Sequence, residues 1–176
     1  LIKVGTTIWW CQIITLENCR TIKLAQGEAD VLVVRHVLEH TFNTSEFLLG
    51  IKSLVSDGAI IIFEVPDCFK QFKHYDYTCL WEEHTIYFVK NTFEQLLKFN
   101  GFKVERSLVY EYSTENSLVI ICRTDEDCDR TDISKLAKRD EKYRTSLLNF
   151  RNKFDEIKSG IHDAISEKIR HGQVVI

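Results

Sequence analysis

Methionine is absent from this 176-residue sequence, proline occurs once, and the seven glycines never fall two to a loop. Glycines so scattered exclude the phosphate-cradling loop of nucleotide-binding folds and the Gly-x-Gly turn of dinucleotide-binding folds. No apolar run approaches the roughly 18 to 20 residues needed to cross a bilayer. The densest, residues 8–14 (Ile-Trp-Trp-Cys-Gln-Ile-Ile), is far too short. A basic start followed by an apolar stretch and a small-residue cleavage site is not found, so no signal peptide is expected and a cytoplasmic location is. Neither sign of charge dominates: 23 Lys and Arg against 26 Asp and Glu leave a net charge of -3. That balance gives no basic footprint for nucleic acid. No Cys-x-x-Cys pair occurs among the six cysteines, at 11, 19, 68, 79, 122 and 128, and their gaps fit no zinc pattern. They read as reduced thiols of a cytosolic protein, with Cys122 buried in an apolar run. The missing initiator methionine gives the expectation that the chain begins inside a longer protein.

Apolar residues make up 44% and charged residues 28%, enough of each for one soluble domain with a real core. A strand is expected near 8–14. Leu16, Cys19, Ile22 and Lys23 recur at helical spacing up to Gly27, which predicts a helix closing at that glycine. The run Asp30-Val31-Leu32-Val33-Val34 suits a strand buried on both faces. Ser45 is positioned to cap a helix with Phe47, Leu48, Ile51 and Leu54 on one stripe, ended by Ser56-Asp57-Gly58. Residues 59–65 read as a second buried strand, stopped by Pro66. Strand, helix and strand make a βαβ unit with parallel pairing and a right-handed crossover. A further helix, capped by Asn91 and closed by Asn100-Gly101, turns Phe93, Leu96, Leu97 and Phe99 inward. Residues 102–110 and 117–123 then form an antiparallel pair. The polar, acidic residues 124–131 read as a linker. From 132 to 171, apolar residues from Ile133 and Leu136 through Tyr143, Leu147, Phe150, Phe154 and Ile157 to Ile169 recur at steps of three, four or seven. This predicts one or two long amphipathic helices. Residues 172–176 look like the start of a following strand.

A parallel sheet offers its functional residues at the C-terminal ends of its strands. Two clusters stand there: Arg35-His36-Val37-Leu38-Glu39-His40 after the first strand, and the stretch from Glu64 and Asp67 to His84 after the second. The second gathers His74, Tyr75, Asp76, Tyr77, Trp81, Glu82, Glu83, His84 and Tyr87, aromatic rings beside titratable groups as in small-molecule pockets. Taken singly, these residues also fit a solvated surface loop, His40 a helix-end or core histidine, and Glu39 a solvated or first-turn acid. His36, His40, His74 and His84 are potential metal ligands together with carboxylates. His36-x-x-x-His40 shares one face if helical, but Val37 stands where the zinc-hydrolase pattern needs Glu, so no metal site is expected.

Together these residues resemble class I S-adenosylmethionine-dependent methyltransferases. Ala29-Asp30-Val31-Leu32-Val33-Val34-Arg35-His36-Val37-Leu38-Glu39-His40 looks like the fourth strand of that Rossmann-like sheet and its following loop. Leu54 to Pro66 looks like the turn into the fifth strand. A narrower similarity links Trp81-Glu82-Glu83-His84-Thr85-Ile86-Tyr87-Phe88 to the Tyr-x-Glu-His-x-x-Tyr-Phe segment of deoxysugar C-methyltransferases and their relatives. There are departures. Trp81 stands where that group usually has tyrosine, and Thr114-Glu115-Asn116-Ser117 replaces its Gly-Gly-Ser-like turn. The glycine-rich loop after strand one, the acid after strand two and the N-terminal zinc module are not found.

The resemblance implies an α/β fold in which residues 1–123 are the C-terminal half of a methyltransferase domain, followed by a helical linker or extension. It implies S-adenosylmethionine as cofactor, with its methyl near Arg35, His36 and Val37. His84 becomes a candidate general base, Glu83 binds or polarises the substrate, and His40 assists. Tyr75, Tyr77, Trp81, Tyr87 and Asn116 are the expected substrate-side residues. The implied partner is a small molecule such as a nucleotide-linked keto-sugar methylated at carbon, with neither nucleic acid nor membrane involved. Three alternatives stay open: methylation at O or N of another substrate, a non-catalytic interaction module, and a nicotinamide enzyme of similar topology, which the lack of a Gly-x-Gly loop disfavours. The enzymatic reading requires His40 and His84 to reach the rim of one shared cleft.

Overall fold

A computed structural model of the chain describes residues 15–124 and 141–172. The expected strand near 8–14, most of the 124–131 linker, the start of the helical region and the terminal residues 173–176 lie outside the described residues. Helix α1 (Leu16–Gln26) begins where the Thr15 hydroxyl accepts the Asn18 N–H at 3.2 Å. It ends at Gly27, whose φ of 79° is in the left-handed region glycine tolerates. Strand β1 (Ala29–Arg35), helix α2 (Thr44–Ser53) and strand β2 (Val55–Asp67) follow. β1 and β2 pair in parallel, from Val31 opposite Ile60 to Arg35 opposite Glu64. After α3 (Phe69–His74) and α4 (Lys90–Phe99) come strands β3 (Phe102–Tyr110) and β4 (Asn116–Thr124). They form an antiparallel hairpin whose second strand lies against β2, giving the order β1-β2-β4-β3. This mixed α/β sheet contains the parallel unit and the antiparallel pair expected from the sequence.

β2 is the central strand, and it alternates. Ile61, Phe63 and Val65 are wholly buried on one face. Phe63 meets Phe93 of α4 edge-on at 6.0 Å and Phe102 of β3 at 5.8 Å, an arrangement that aromatic quadrupoles favour. Phe47, Leu48 and Ile51 of α2, and Leu118, Ile120 and Cys122 of β4, complete that core. The α2 stripe and Phe93, Leu96 and Leu97 of α4 therefore pack as their periodicity predicts, whereas Phe99 is half-buried and stands outside that core.

Several boundaries differ from those expected. Asn43, not Ser45, caps α2: its Oδ1 accepts the Glu46 N–H at 3.2 Å while its Nδ2 donates to the Glu46 carboxylate at 3.1 Å. Ser56-Asp57-Gly58 does not end α2. It forms the bulged opening of β2, where the pairing with β1 slips. Pro66 lies within β2, opposite Ser117. β1 has already ended opposite Glu64, so a residue without an N–H leaves no ladder bond unmade on that side. Val89 rather than Asn91 precedes α4, with the Thr92 hydroxyl accepting the Val89 N–H at 3.4 Å. β1 is not buried on both faces: Val31 and Val33 are 54% and 59% exposed, because among the described residues α2 and the core cover one face only.

The last helix, α5 (Glu141–Arg170), is a single element. Its first half packs on α3, with Tyr143 against Phe69 and Phe150 against Phe72 and Tyr77. Leu147, Phe154, Ile161, Ile165 and Ile169 of the same stripe stay exposed. No helix among the described residues is long and apolar enough to cross a membrane. Cys19, Cys68, Cys79 and Cys122 are free and buried, and burial pushes the Cys79 thiol up to about 11 and that of Cys122 to about 12. Cys11 and Cys128 lie outside the described residues.

The packing makes a direct prediction. Phe63→Ala should cost about 3–5 kcal/mol of stability, read from urea or thermal unfolding, whereas Val33→Ala should change it by no more than about 0.5 kcal/mol.

Candidate active site

β1 leaves the sheet through an unusual residue. The His36 N–H still reaches the Glu64 carbonyl at 2.9 Å, but His36 has a φ of 49°, a left-handed conformation uncommon outside glycine. The chain reverses there into a 3-10 turn, Leu38–His40. Leu38 goes into the core, and Glu39 follows it below the surface to 1% exposure. This corrects the reading of Glu39 as a solvated acid.

The segment after β2 is fastened onto this turn through the backbone. The Glu39 carbonyl accepts the N–H groups of Thr85 and Ile86 at 2.8 and 3.2 Å. The Thr85 hydroxyl donates to the Thr41 carbonyl at 2.7 Å. His40 donates from Nδ1 to the Glu83 carbonyl at 3.0 Å, across 43 positions of sequence. That carbonyl can only accept, so the bonded nitrogen carries a proton, and in the neutral ring the lone pair is on Nε2. These bonds bring the His40 and His84 rings edge to face, 4.7 Å apart. Trp81 stacks on His84 at 5.9 Å, and Tyr87 meets it edgewise at 6.0 Å. The Tyr87 hydroxyl is fixed by bonds to the Trp81 N–H and carbonyl.

A cleft of about 740 Å³ opens beside the two imidazoles. His36, Glu39, His40, His74, Asp76, Trp81, Glu83 and His84 line it, so eight of the chemistry-bearing residues singled out in the sequence share one cavity. The other expected residues fall elsewhere. Arg35 donates from Nε to Glu64 at 2.7 Å, and Val37 packs at the edge of the core. Tyr75 and Tyr77 turn toward α5, where the Tyr77 ring lies 4.2 Å from that of Phe150 and its hydroxyl donates to the Phe150 carbonyl. Asn116 accepts the Tyr112 N–H at 3.3 Å and is 9% exposed, a turn-stabilising role. Tyr87 positions Trp81 and His84 from behind. Beside the expected His74 and Asp76, the cleft also takes walls not anticipated: Lys70 and Gln71 from α3, and Ser113 to Glu115 from the β3–β4 turn. Lys70 binds the Tyr112 and Ser113 carbonyls at 2.7 and 2.8 Å, and Gln71 donates to the Thr114 carbonyl. The sequence signal that could have found Lys70 was its place four residues before His74, just beyond a strand.

The electrostatics are uneven. His36 Nδ1 lies 3.3 Å from Glu39 Oε1, and this hydrogen bond raises the His36 imidazole above its ordinary value despite partial burial. Burial, helped by the neighbouring His40, lowers that of His84. Burial opposes ionisation of Glu64, but hydrogen bonds from Arg35 and Ser117 hold its carboxyl below the usual range. Glu39 Oε2 is buried without a hydrogen-bond partner among the described residues. Glu39, His40 and His84 each offer a ligand atom within 4.8 Å of the others. The arrangement can therefore accept a proton from a small molecule or hold a cation. The sequence argued against a metal because its template ran along one helix, whereas His84 comes from a separate segment.

Residues 8–107 match the family model described as a methyltransferase domain. No curated protein matches the chain. Among solved structures, the chain is similar to an S-adenosylmethionine-dependent methyltransferase from Anabaena variabilis, with 11% identity, 63% of this chain and 55% of that one covered, and a TM-score of 0.48. It is also similar to magnesium protoporphyrin IX methyltransferase from Synechocystis, solved with S-adenosylhomocysteine, at 17% identity, 58% and 48% coverage and a TM-score of 0.43. The N-methyltransferase NodS from Bradyrhizobium japonicum follows at 14%, 56% and 52%, and 0.36. The chain thus spans roughly half the length of each.

The fastening of the two segments can be tested directly. Thr85→Val removes the hydroxyl and leaves the Thr41 carbonyl without that donor. The change should lower the unfolding free energy by about 1 kcal/mol, measured by urea titration.

Proposed function

Because the chain belongs to the methyltransferase-domain family, we propose that it forms the acceptor side of an S-adenosylmethionine-dependent methyltransferase site. The observation that carries this reading is the meeting of His40 and His84 at 4.7 Å, on the wall of a cleft just past the ends of two parallel strands. At about 740 Å³ the cleft has the size of sites that hold small molecules, roughly 300–1,000 Å³. The left-handed turn at His36 offers one wall for the cofactor. With Arg35 engaged by Glu64, the contacts from residues 35–37 fall to the backbone and to His36.

S-adenosylmethionine supplies an activated methyl group, transferred by in-line displacement, so the protein's task is to hold the acceptor in line and take its proton. His84 is the proposed proton acceptor. Trp81 and Tyr87 fix its ring, and His40 holds the Glu83 carbonyl that precedes it. Glu83, on the cleft wall, orients the acceptor. The acceptor is a small polar molecule with a proton on the atom to be methylated, and a keto-sugar methylated beside its carbonyl is the version the sequence resemblance favours. Asp76, Glu83 and Glu115 around the cleft, with Lys70 already engaged, leave any phosphate groups of such a substrate outside.

The test uses the whole protein with labelled S-adenosylmethionine and a panel of small keto-sugars, alcohols and amines. His84→Ala should lower methyl transfer by roughly a hundredfold or more while cofactor affinity, followed by calorimetry, changes little. An unchanged rate removes His84 from the mechanism. A protein that binds no cofactor at all returns the chain to the interaction-module reading.

A further inference from the structure

We propose that Glu39, His40 and His84 form a binding site for a divalent cation of the zinc class, and that a cation seated there silences His84 as a proton acceptor. Each residue offers a ligand atom within 4.8 Å of the others. Zinc donors at bonds of about 2.0–2.1 Å sit roughly 3.4 Å apart, so closure needs a shift of about an ångström, which the partly exposed His84 side chain can supply.

Three further observations support a cation rather than a chance grouping. Glu39 is 1% exposed, and its Oε2 has no hydrogen-bond partner among the described residues. A buried carboxylate oxygen without a donor is costly, and a cation satisfies it directly. His36 holds only the other oxygen, Oε1, at 3.3 Å. His40 gives its Nδ1–H to the Glu83 carbonyl at 3.0 Å, the outer contact that metal-ligating histidines characteristically make, and its Nε2 lone pair remains available. His84 is already oriented by Trp81 and Tyr87. Two imidazoles and one carboxylate, with the cleft on the remaining side, match the three-ligand sites that leave a coordination position open. Two nitrogen donors favour zinc, cobalt or iron over magnesium and calcium, which prefer oxygen.

The consequence for catalysis rests on the reading of His84 as proton acceptor; the binding itself does not. A ligated His84 has no lone pair left for a substrate proton, so a bound cation and general-base action exclude one another.

Calorimetric titration of the whole protein with zinc chloride, in the absence of cofactor, should show one site. Glu39→Gln, His40→Ala and His84→Ala should each weaken it by roughly tenfold or more, with circular dichroism confirming that each variant is folded. Cobalt substitution should give the intense visible bands of a four-coordinate site without a thiolate charge-transfer band. Equal zinc affinity in all four proteins, or a thiolate band, overturns the site. In the methyl-transfer assay, zinc should inhibit and a chelator should restore the rate. Full activity with zinc bound overturns the silencing. Loss of the His84→Ala effect in zinc-free buffer would instead fault the general-base reading and leave the site standing.

Discussion

Two amide N–H groups on one carbonyl hold the functional half of this molecule together. Thr85 and Ile86 both donate to the carbonyl of Glu39, and through that point the long excursion after β2 is registered against the turn after β1. Side chains alone would hold it poorly, because His84, Trp81 and Glu83 sit on a segment without regular structure, and ordering such a segment costs conformational entropy at every residue. Backbone bonds at the base of the turn meet part of that cost. They also register the main chains that carry the two imidazoles, while His40 Nδ1 and the rings of Trp81 and Tyr87 set the ring positions.

The sheet supplies the fixed reference for this arrangement. Phe63, gripped by Phe93 and Phe102, anchors β2 in the middle of the layer. The strand emerges at Asp67 with its neighbour β1 already ended. That staggered exit makes room for the cleft: β1 turns away at His36, β2 runs on past it, and β4 turns back at Asn116. The three strand ends and α3 enclose the space where the histidines meet.

Much of this was legible in the sequence where the signal was local. The apolar runs of β1 and β2, the stripes of α2 and α4, and the glycine stops at Gly27 and Gly101 all depend on residues a few positions apart, and all hold. The paired histidine clusters were legible for a similar reason, since each lies just beyond a strand. Competition between similar groups defeated the caps: Asn43 outbids Ser45 by sitting where its side chain can reach Glu46 in both directions. Burial was misread wherever it depends on distant packing. Val31 and Val33 look like core, yet no described element covers them. Glu39 looks solvated and is buried at the cleft wall. Tyr75 and Tyr77 look like pocket residues, yet α5 claims them, and nothing near them in sequence announces that helix. Gln71 and Glu115 reach the cleft only because α3 and the β3–β4 turn meet there.

Helix α5 runs for 30 residues, about 45 Å, yet among the described residues the aromatic contacts that grip it, those of Tyr143, Phe150 and Phe154, all fall in its first half. Tyr77 belongs to that grip and to the same short turn that carries Asp76, Thr78 and Cys79 to the cleft wall. The foot of the helix and the wall of the cleft therefore share one turn, and a change at Phe150 reaches the wall against which a bound molecule would rest.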